Sequence, residues 1–276
     1  MDPVIVEIGP LAIRWYGLMY VVAIVVGIVL VTREIRRRGL DLTLDDVLDF
    51  VLITVPLAIV GARLYYVAFQ WQYYGENLGD IYKIWQGGLA IHGGLIAGVL
   101  GLWIFAKWKK VSFWSFADLA VPALVLGQAF GRFGNFMNGD AYGIPTNSIF
   151  GIVFPANSPA GRAYPEMHLH PTMLYEMVGC LILFGVLWWL RRQPFKAGFL
   201  TSVYAIGYSV LRFVVEFYRG DALCLTGGTN CVTGAETFIE SLKVAQVISV
   251  LIVLVFATLM IYQELYKRRD AESAEA

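Results

Sequence analysis

In the segment LRFVVEFYR, Arg212, Glu216 and Arg219 stand four and then three residues apart, so a helix would carry all three on one face. Another arginine, Arg132, lies in GRFGNFMNGDAYG, where Arg132, Asn135 and Asn138 recur at intervals of three. Gly131, Gly134, Gly139 and Gly143 in that stretch permit tight turns and the close approach of a ligand. Arginine presents a planar fork matched to phosphate oxygens, so the chemistry these residues suggest is the binding of a phosphate group. Each has a competing reading: an Arg–Glu pair that neutralises itself and anchors a helix, or a glycine-rich turn with Asn caps. His92, in GGLAIHGG, is either a proton-transferring group or a satisfied core histidine. His168 and His170 alternate in HLHP, a motif that itself holds no carboxylate or thiolate, so neither a metal site nor a cofactor is expected.

The composition says what must hold these residues. Of 276 residues, 58% are hydrophobic and 15% charged, against roughly 45–50% apolar in ordinary globular chains, and the mean hydropathy is +0.64. Runs of about 18 or more apolar residues read as membrane spans. Seven are expected, at 16–31, 47–69, 89–105, 117–130, 173–190, 199–217 and 244–262, which makes an all-α membrane protein. Asp2 and Glu7 precede the first run and Arg33, Arg36, Arg37 and Arg38 follow it, so it reads as a span with a stop-transfer flank rather than a cleavable signal. The net charge is zero, and no nucleic-acid partner is expected.

Basic residues prefer cytoplasmic loops. They follow the first span, the third (Lys107, Lys109, Lys110), the fifth (Arg191, Arg192, Lys196) and the seventh (Lys267, Arg268, Arg269), whereas the loop after the second holds only Lys83. The N-terminus is therefore expected outside and the C-terminus in the cytoplasm. The expected organisation is one polytopic membrane domain over 1–269, with an extracytoplasmic loop or head at 131–172, and a polar tail at 270–276. Cys224 and Cys231, in the next outer segment, can pair if the outside is oxidising; Cys180 lies within a span and reads as packing. With this orientation Tyr16, Arg63, His92, Arg132, Tyr175, Glu176, Arg212 and Glu216 all fall at the outer level, although six spans supply them. Ionisable groups at membrane depth are costly and usually functional. A transporter for an anionic solute also explains buried arginines, but it predicts a polar path through both halves of the membrane, and the cytoplasmic halves lack one. A non-catalytic lipid-binding subunit needs the arginines for affinity alone.

GRFGNFMNGDAYG closely resembles the signature of the prolipoprotein diacylglyceryl transferase family. RWYGLMY, IHGG, HPTMLYE and LRFVVEFYR accompany it in that family's order, from the first span to the sixth. The resemblance implies a multi-pass enzyme of the bacterial inner membrane with its site toward the outer leaflet. Its substrates would be phosphatidylglycerol, a lipid of the surrounding membrane, and the lipobox cysteine of a preprolipoprotein signal peptide; the products would be a thioether and glycerol phosphate. By position, Arg132 and Arg212 match the family's essential arginines, and His92, Tyr16, Asn135 and Glu216 its other functional positions. Gly143 closes the signature. Asp140 stands where the family often has Glu, one methylene longer. His92 is then a candidate base for the incoming thiol, with Arg132 and Arg212 on the phosphate. Tyr16, Asn135, Asp140, Gly143, Tyr175, Glu176, Glu216 and Arg219 are expected to bind or orient substrate.

Overall fold

The computed structural model describes residues 1–9, 11–224 and 243–268. Val4–Ile8 (β1) and Leu11–Arg14 (β2) form an antiparallel hairpin that runs directly into α1, Trp15–Arg38. There follow α2 (Leu44–Phe69), the short α3 (Trp71–Tyr74), two 3-10 turns, α4 (Ile91–Trp108) and α5 (Phe113–Asn138). Next come β3 (Ile152–Val153), α6 (Pro159–Ala163) and β4 (His168–Leu169), then α7 (Thr172–Leu190), α8 (Phe199–Glu216) and α9 (Val244–Tyr262). Seven of these helices are long and apolar enough to cross a membrane: α1, α2, α4, α5, α7, α8 and α9. Large apolar side chains point outward along them, such as Leu52 (71% exposed), Ile182 (64%) and Val255 (61%). That pattern is unfavourable in water and fitting against lipid.

Two features depart from the reading of the sequence. The hairpin was not expected, although its β-branched residues around a Gly-Pro pair suit one. Helix α5 also continues through Arg132 to Asn138, so the loop begins at Gly139 rather than at 131. Gly134 lies where the helix meets Tyr16, with a Cβ there 2.8 Å from its ring, and this close packing outweighs the poor helix propensity of glycine.

The chain divides into two compact units, residues 28–119 and residues 1–27 with 120–276, the divisions falling inside α1 and α5. In the first unit α2 starts with a capping box: Thr43 Oγ1 accepts from the Asp46 amide at 3.3 Å and Asp46 Oδ2 from the Thr43 amide at 2.7 Å. Lys109 ties the α4 end to that same turn, 2.6 Å from Asp46 and 3.0 Å from Asp49. Phe50, Phe105 and Phe116 form an aromatic cluster beside it. Lipid gives helices no hydrophobic reason to associate, so close backbone approach does the work. A Cβ on Gly93 would lie 2.2 Å from the Gly61 carbonyl oxygen, and one on Gly61 would lie 2.4 Å from Ala97 Cβ. Gly93→Leu is therefore expected to destabilise this unit by about 1–3 kcal/mol. Gly98→Leu, on the same helix but facing open space, should be near neutral; equal melting temperatures in detergent for the two variants would refute this account.

The second unit packs Val121, Val125 and Ala129 of α5 with Cys180, Leu183 and Leu187 of α7, Phe199 and Leu200 of α8, and Leu265 beyond α9. Its loop 139–171 has a small core of its own, Phe154, Ala160 and Leu169 with Met173. Cys224 is buried and disulfide-bonded; Cys231, its partner expected from the sequence, lies outside the described residues. Cys180 is free and buried.

Candidate active site

Within the second unit, three helices, α5, α7 and α8, bring polar groups to one place. Glu176, in the first turns of α7, is fully buried. Its Oε1 accepts from Arg132 Nη2 at 2.7 Å and from the Tyr208 hydroxyl at 2.8 Å, and its Oε2 accepts from Arg212 Nη1 at 3.3 Å. A single carboxylate thus lies between two guanidinium groups carried by α5 and α8. Arg212 Nη2 also lies 2.7 Å from Glu216 Oε2, an ion pair by distance but out of line for a hydrogen bond. Arg132 is more firmly held, since its Nη1 also donates to Asn135 Oδ1 at 3.2 Å.

A relay of amides continues outward from Arg132. Asn135 Nδ2 donates to Asp140 Oδ1 at 2.7 Å and Asn138 Nδ2 to Asp140 Oδ2 at 2.8 Å. The intervals of three in the signature therefore lie on a helix, as their spacing allows, and the chain turns back at Asp140 to close the network. Gly143 is a point of contact between backbones. It pairs with Arg219 as a β-bridge, its amide donates to the His170 carbonyl at 3.0 Å, and a Cβ there would lie 2.5 Å from that oxygen. No side chain fits at that position.

The structure brings Arg132, Asn135, Asp140, Glu176, Arg212 and Glu216 into one network. Tyr16 enters α1 against Gly134, with its hydroxyl 3.1 Å from that of Tyr20. Arg219 turns to Asp221, 2.7 Å away. The Tyr175 hydroxyl meets His170 Nδ1 at 3.1 Å, and its ring abuts Tyr218. His92 belongs to the other unit, where it opens α4, exposed and stacked on Tyr65. Arg63, also in that unit, serves another purpose. Its Nε donates to Ile81 O at 2.8 Å, Nη2 to Asp80 O at 2.7 Å, and Nη1 to Gly87 O at 2.7 Å and Gly88 O at 3.0 Å. Its donors are committed to the carbonyls of the 78–88 segment, so it is a clamp on that segment. Tyr208 was not singled out from the sequence. It stands in SVYAIGYSV, and its one signal is a hydroxyl in an apolar span, on the face that carries Arg212 four residues on.

Seven helices long and apolar enough to cross a membrane among the described residues, with an arginine–carboxylate network buried in the second unit, define a multi-pass membrane protein. The model of the family described as prolipoprotein diacylglyceryl transferase matches residues 3–262. The chain belongs to that family. It is 43% identical over 263 residues to the phosphatidylglycerol–prolipoprotein diacylglyceryl transferase of Geobacillus kaustophilus, covering 95% of this chain and 92% of that one. It is 41% identical over 254 residues to the protein of that name in Synechococcus elongatus (90% and 82% covered), and 40% over 272 residues to that of Bacillus licheniformis (98% and 95%).

Proposed function

We propose that this chain transfers the diacylglyceryl group of phosphatidylglycerol to the lipobox cysteine of a preprolipoprotein, the first step of lipoprotein maturation. The cysteine thiolate attacks the glyceryl carbon that bears the phosphate. A C–S bond forms, the C–O bond breaks, and the electron pair leaves on the phosphate oxygen of glycerol phosphate. The observation that carries this reading is the convergence of Arg132 and Arg212 on one buried carboxylate. Two preplaced cations in a low-dielectric setting favour the charge that gathers on a departing phosphate. Arg212, held by one long bond and one misaligned contact, is the freer of the two to take a phosphate oxygen. Arg132 is set in place by Asn135 and Glu176, and Asn135 by Asp140. Gly143 keeps the signature loop against Arg219. Tyr16 and Tyr175 are the candidates for orienting the lipid and Glu216 for holding Arg212. The attacking sulfur belongs to the substrate, so no enzyme nucleophile is needed; a free thiol with a pKa near 8.5 must lose its proton, and His92 is the proposed base. The orientation follows from the alternating basic loops: N-terminus outside, C-terminus in the cytoplasm of a bacterial cell, and the arginines toward the outer leaflet of the inner membrane.

Purified protein is mixed with phosphatidylglycerol in detergent micelles and a lipobox peptide. Thioether-linked diacylglyceryl peptide, with one glycerol phosphate released per peptide, is the expected result; a folded protein that binds the lipid and forms neither product refutes the reading. In the same assay Tyr208→Phe should lower the rate about three- to tenfold, since it removes one hydrogen bond to Glu176, worth about 0.7–1.4 kcal/mol. An unchanged rate would mean that the hydroxyl does not help to hold the carboxylate.

A further inference from the structure

Lys243 stands at the residue before α9, where the chain returns from the segment outside the described residues. It is only 4% exposed, an uncommon place for a lysine, with the Glu216 and Asp221 carboxylates attracting its charge and Arg219 and Arg212 opposing it. Among the described residues it forms no ion pair. Its ammonium instead donates to the backbone carbonyls of Glu216, in a short bond, and of Arg219, at 3.4 Å. The first belongs to the last residue of α8 and also accepts from the Arg219 amide at 3.2 Å, and the second lies three residues beyond it; this is the end of the helix that gathers partial negative charge. Burial disfavours the ammonium and holds its pKa below the usual lysine range. Keeping the charge there has a cost, and the carbonyl contacts are what it secures.

The turn so capped carries much of the candidate site. Glu216 is the last residue of α8 and Arg212 lies one turn before it, Arg219 and its pair with Asp221 lie just beyond, and Arg219 makes the backbone bridge to Gly143 of the signature loop. The Gly220 amide donates to Tyr142 O at 3.0 Å and the Ile144 amide to Tyr218 O at 2.9 Å, so the same few residues fix α8 to the loop that follows Arg132. We infer that Lys243 is a positioning residue for the transfer: its ammonium caps α8 and thereby sets Arg212 and the Gly143–Arg219 junction for the phosphate of the lipid. The inference rests on the transferase reading for its kinetics, but not for its effect on the backbone.

The test pairs Lys243→Met, which keeps the stem and removes the ammonium, with Lys243→Arg, which restores a cationic donor. Hydrogen exchange of amides 217–220, read by mass spectrometry in detergent, should quicken at least tenfold in Lys243→Met and return to within threefold of wild type in Lys243→Arg. In the transfer assay Lys243→Met should lower kcat/KM for phosphatidylglycerol at least tenfold while the KM for the lipobox peptide stays within twofold, again with recovery in Lys243→Arg. Unchanged exchange and kinetics in Lys243→Met overturn the inference, as does an equal loss toward both substrates. Inactive wild type with the exchange effect intact would count against the transferase reading, and against the kinetic half of the inference with it, but not against the cap. If Lys243→Met does not fold, Lys243→Gln replaces it, a neutral donor for which wild-type kinetics would overturn the need for the charge.

Discussion

Arg132→Ala and Arg212→Ala are each expected to lower the rate of thioether formation about a thousandfold, the equivalent of ~4 kcal/mol of transition-state stabilisation. Each removes one of the two cations that share Glu176. Arg132→Lys should recover little, because one ammonium cannot replace a fork whose two ends reach Asn135 and Glu176 separately. Glu176→Gln should cost about a hundredfold. It keeps the shape but leaves both guanidinium groups without the charge that fixes them, and it strands buried donors. Groups that act as a unit give losses that do not add, so Arg132→Ala combined with Glu176→Gln should be little worse than Arg132→Ala alone. The measurement is the initial rate for variants whose melting temperatures in detergent show them folded. A rate within tenfold of wild type for either alanine variant would remove the clamp from the mechanism. Fully additive losses in the double variant would show that Glu176 acts independently of Arg132.

The second large effect concerns stability. Arg63 is 5% exposed and holds four backbone carbonyls between residues 80 and 88, with its guanidinium 5.1 Å from the centre of the Tyr74 ring. Arg63→Leu should destabilise the protein by about 3 kcal/mol, taking ~1–3 kcal/mol for each carbonyl left without a donor and allowing that loop carbonyls regain water. Arg63→Lys should recover little, since a point charge cannot reach four acceptors spread along a chain. Thermal unfolding in detergent measures the loss, and limited proteolysis should show new cuts between residues 75 and 90. A melting temperature unchanged in Arg63→Leu would mean that the 78–88 segment holds itself.

The spans were legible because apolar length is a local property of the sequence, and α9 and α7 appear almost where hydropathy puts them. So was the shared face of Arg212 and Glu216, which helical spacing alone dictates. What eluded the sequence depends on contacts between distant residues. Nothing near Arg63 distinguishes a clamp on carbonyls from a ligand for phosphate; the 17 to 25 residues that separate it from its acceptors decide that. Tyr208 meets Glu176 across 32 positions and Lys243 meets Glu216 across 27, with no motif around either to mark it. The extension of α5 to Asn138 was missed for the opposite reason: local glycine content argued for a turn, and the packing of Gly134 against Tyr16 overrode it.

The shared carboxylate also bears on biogenesis. Helices enter the bilayer in the order of their synthesis, and Arg132 on α5 precedes Glu176 on α7 by 44 residues and Arg212 on α8 follows it by 36. Near the ends of their helices these charges can snorkel to the interface while unpaired, at a cost that rises to about 2.5–3.5 kcal/mol for a charge at a helix centre. The neutralised arrangement exists only once the sixth membrane helix has been made. Maturation of the site is therefore a late event, and a nascent chain stopped short of α8 would carry Glu176 and Arg132 without the partner that completes them.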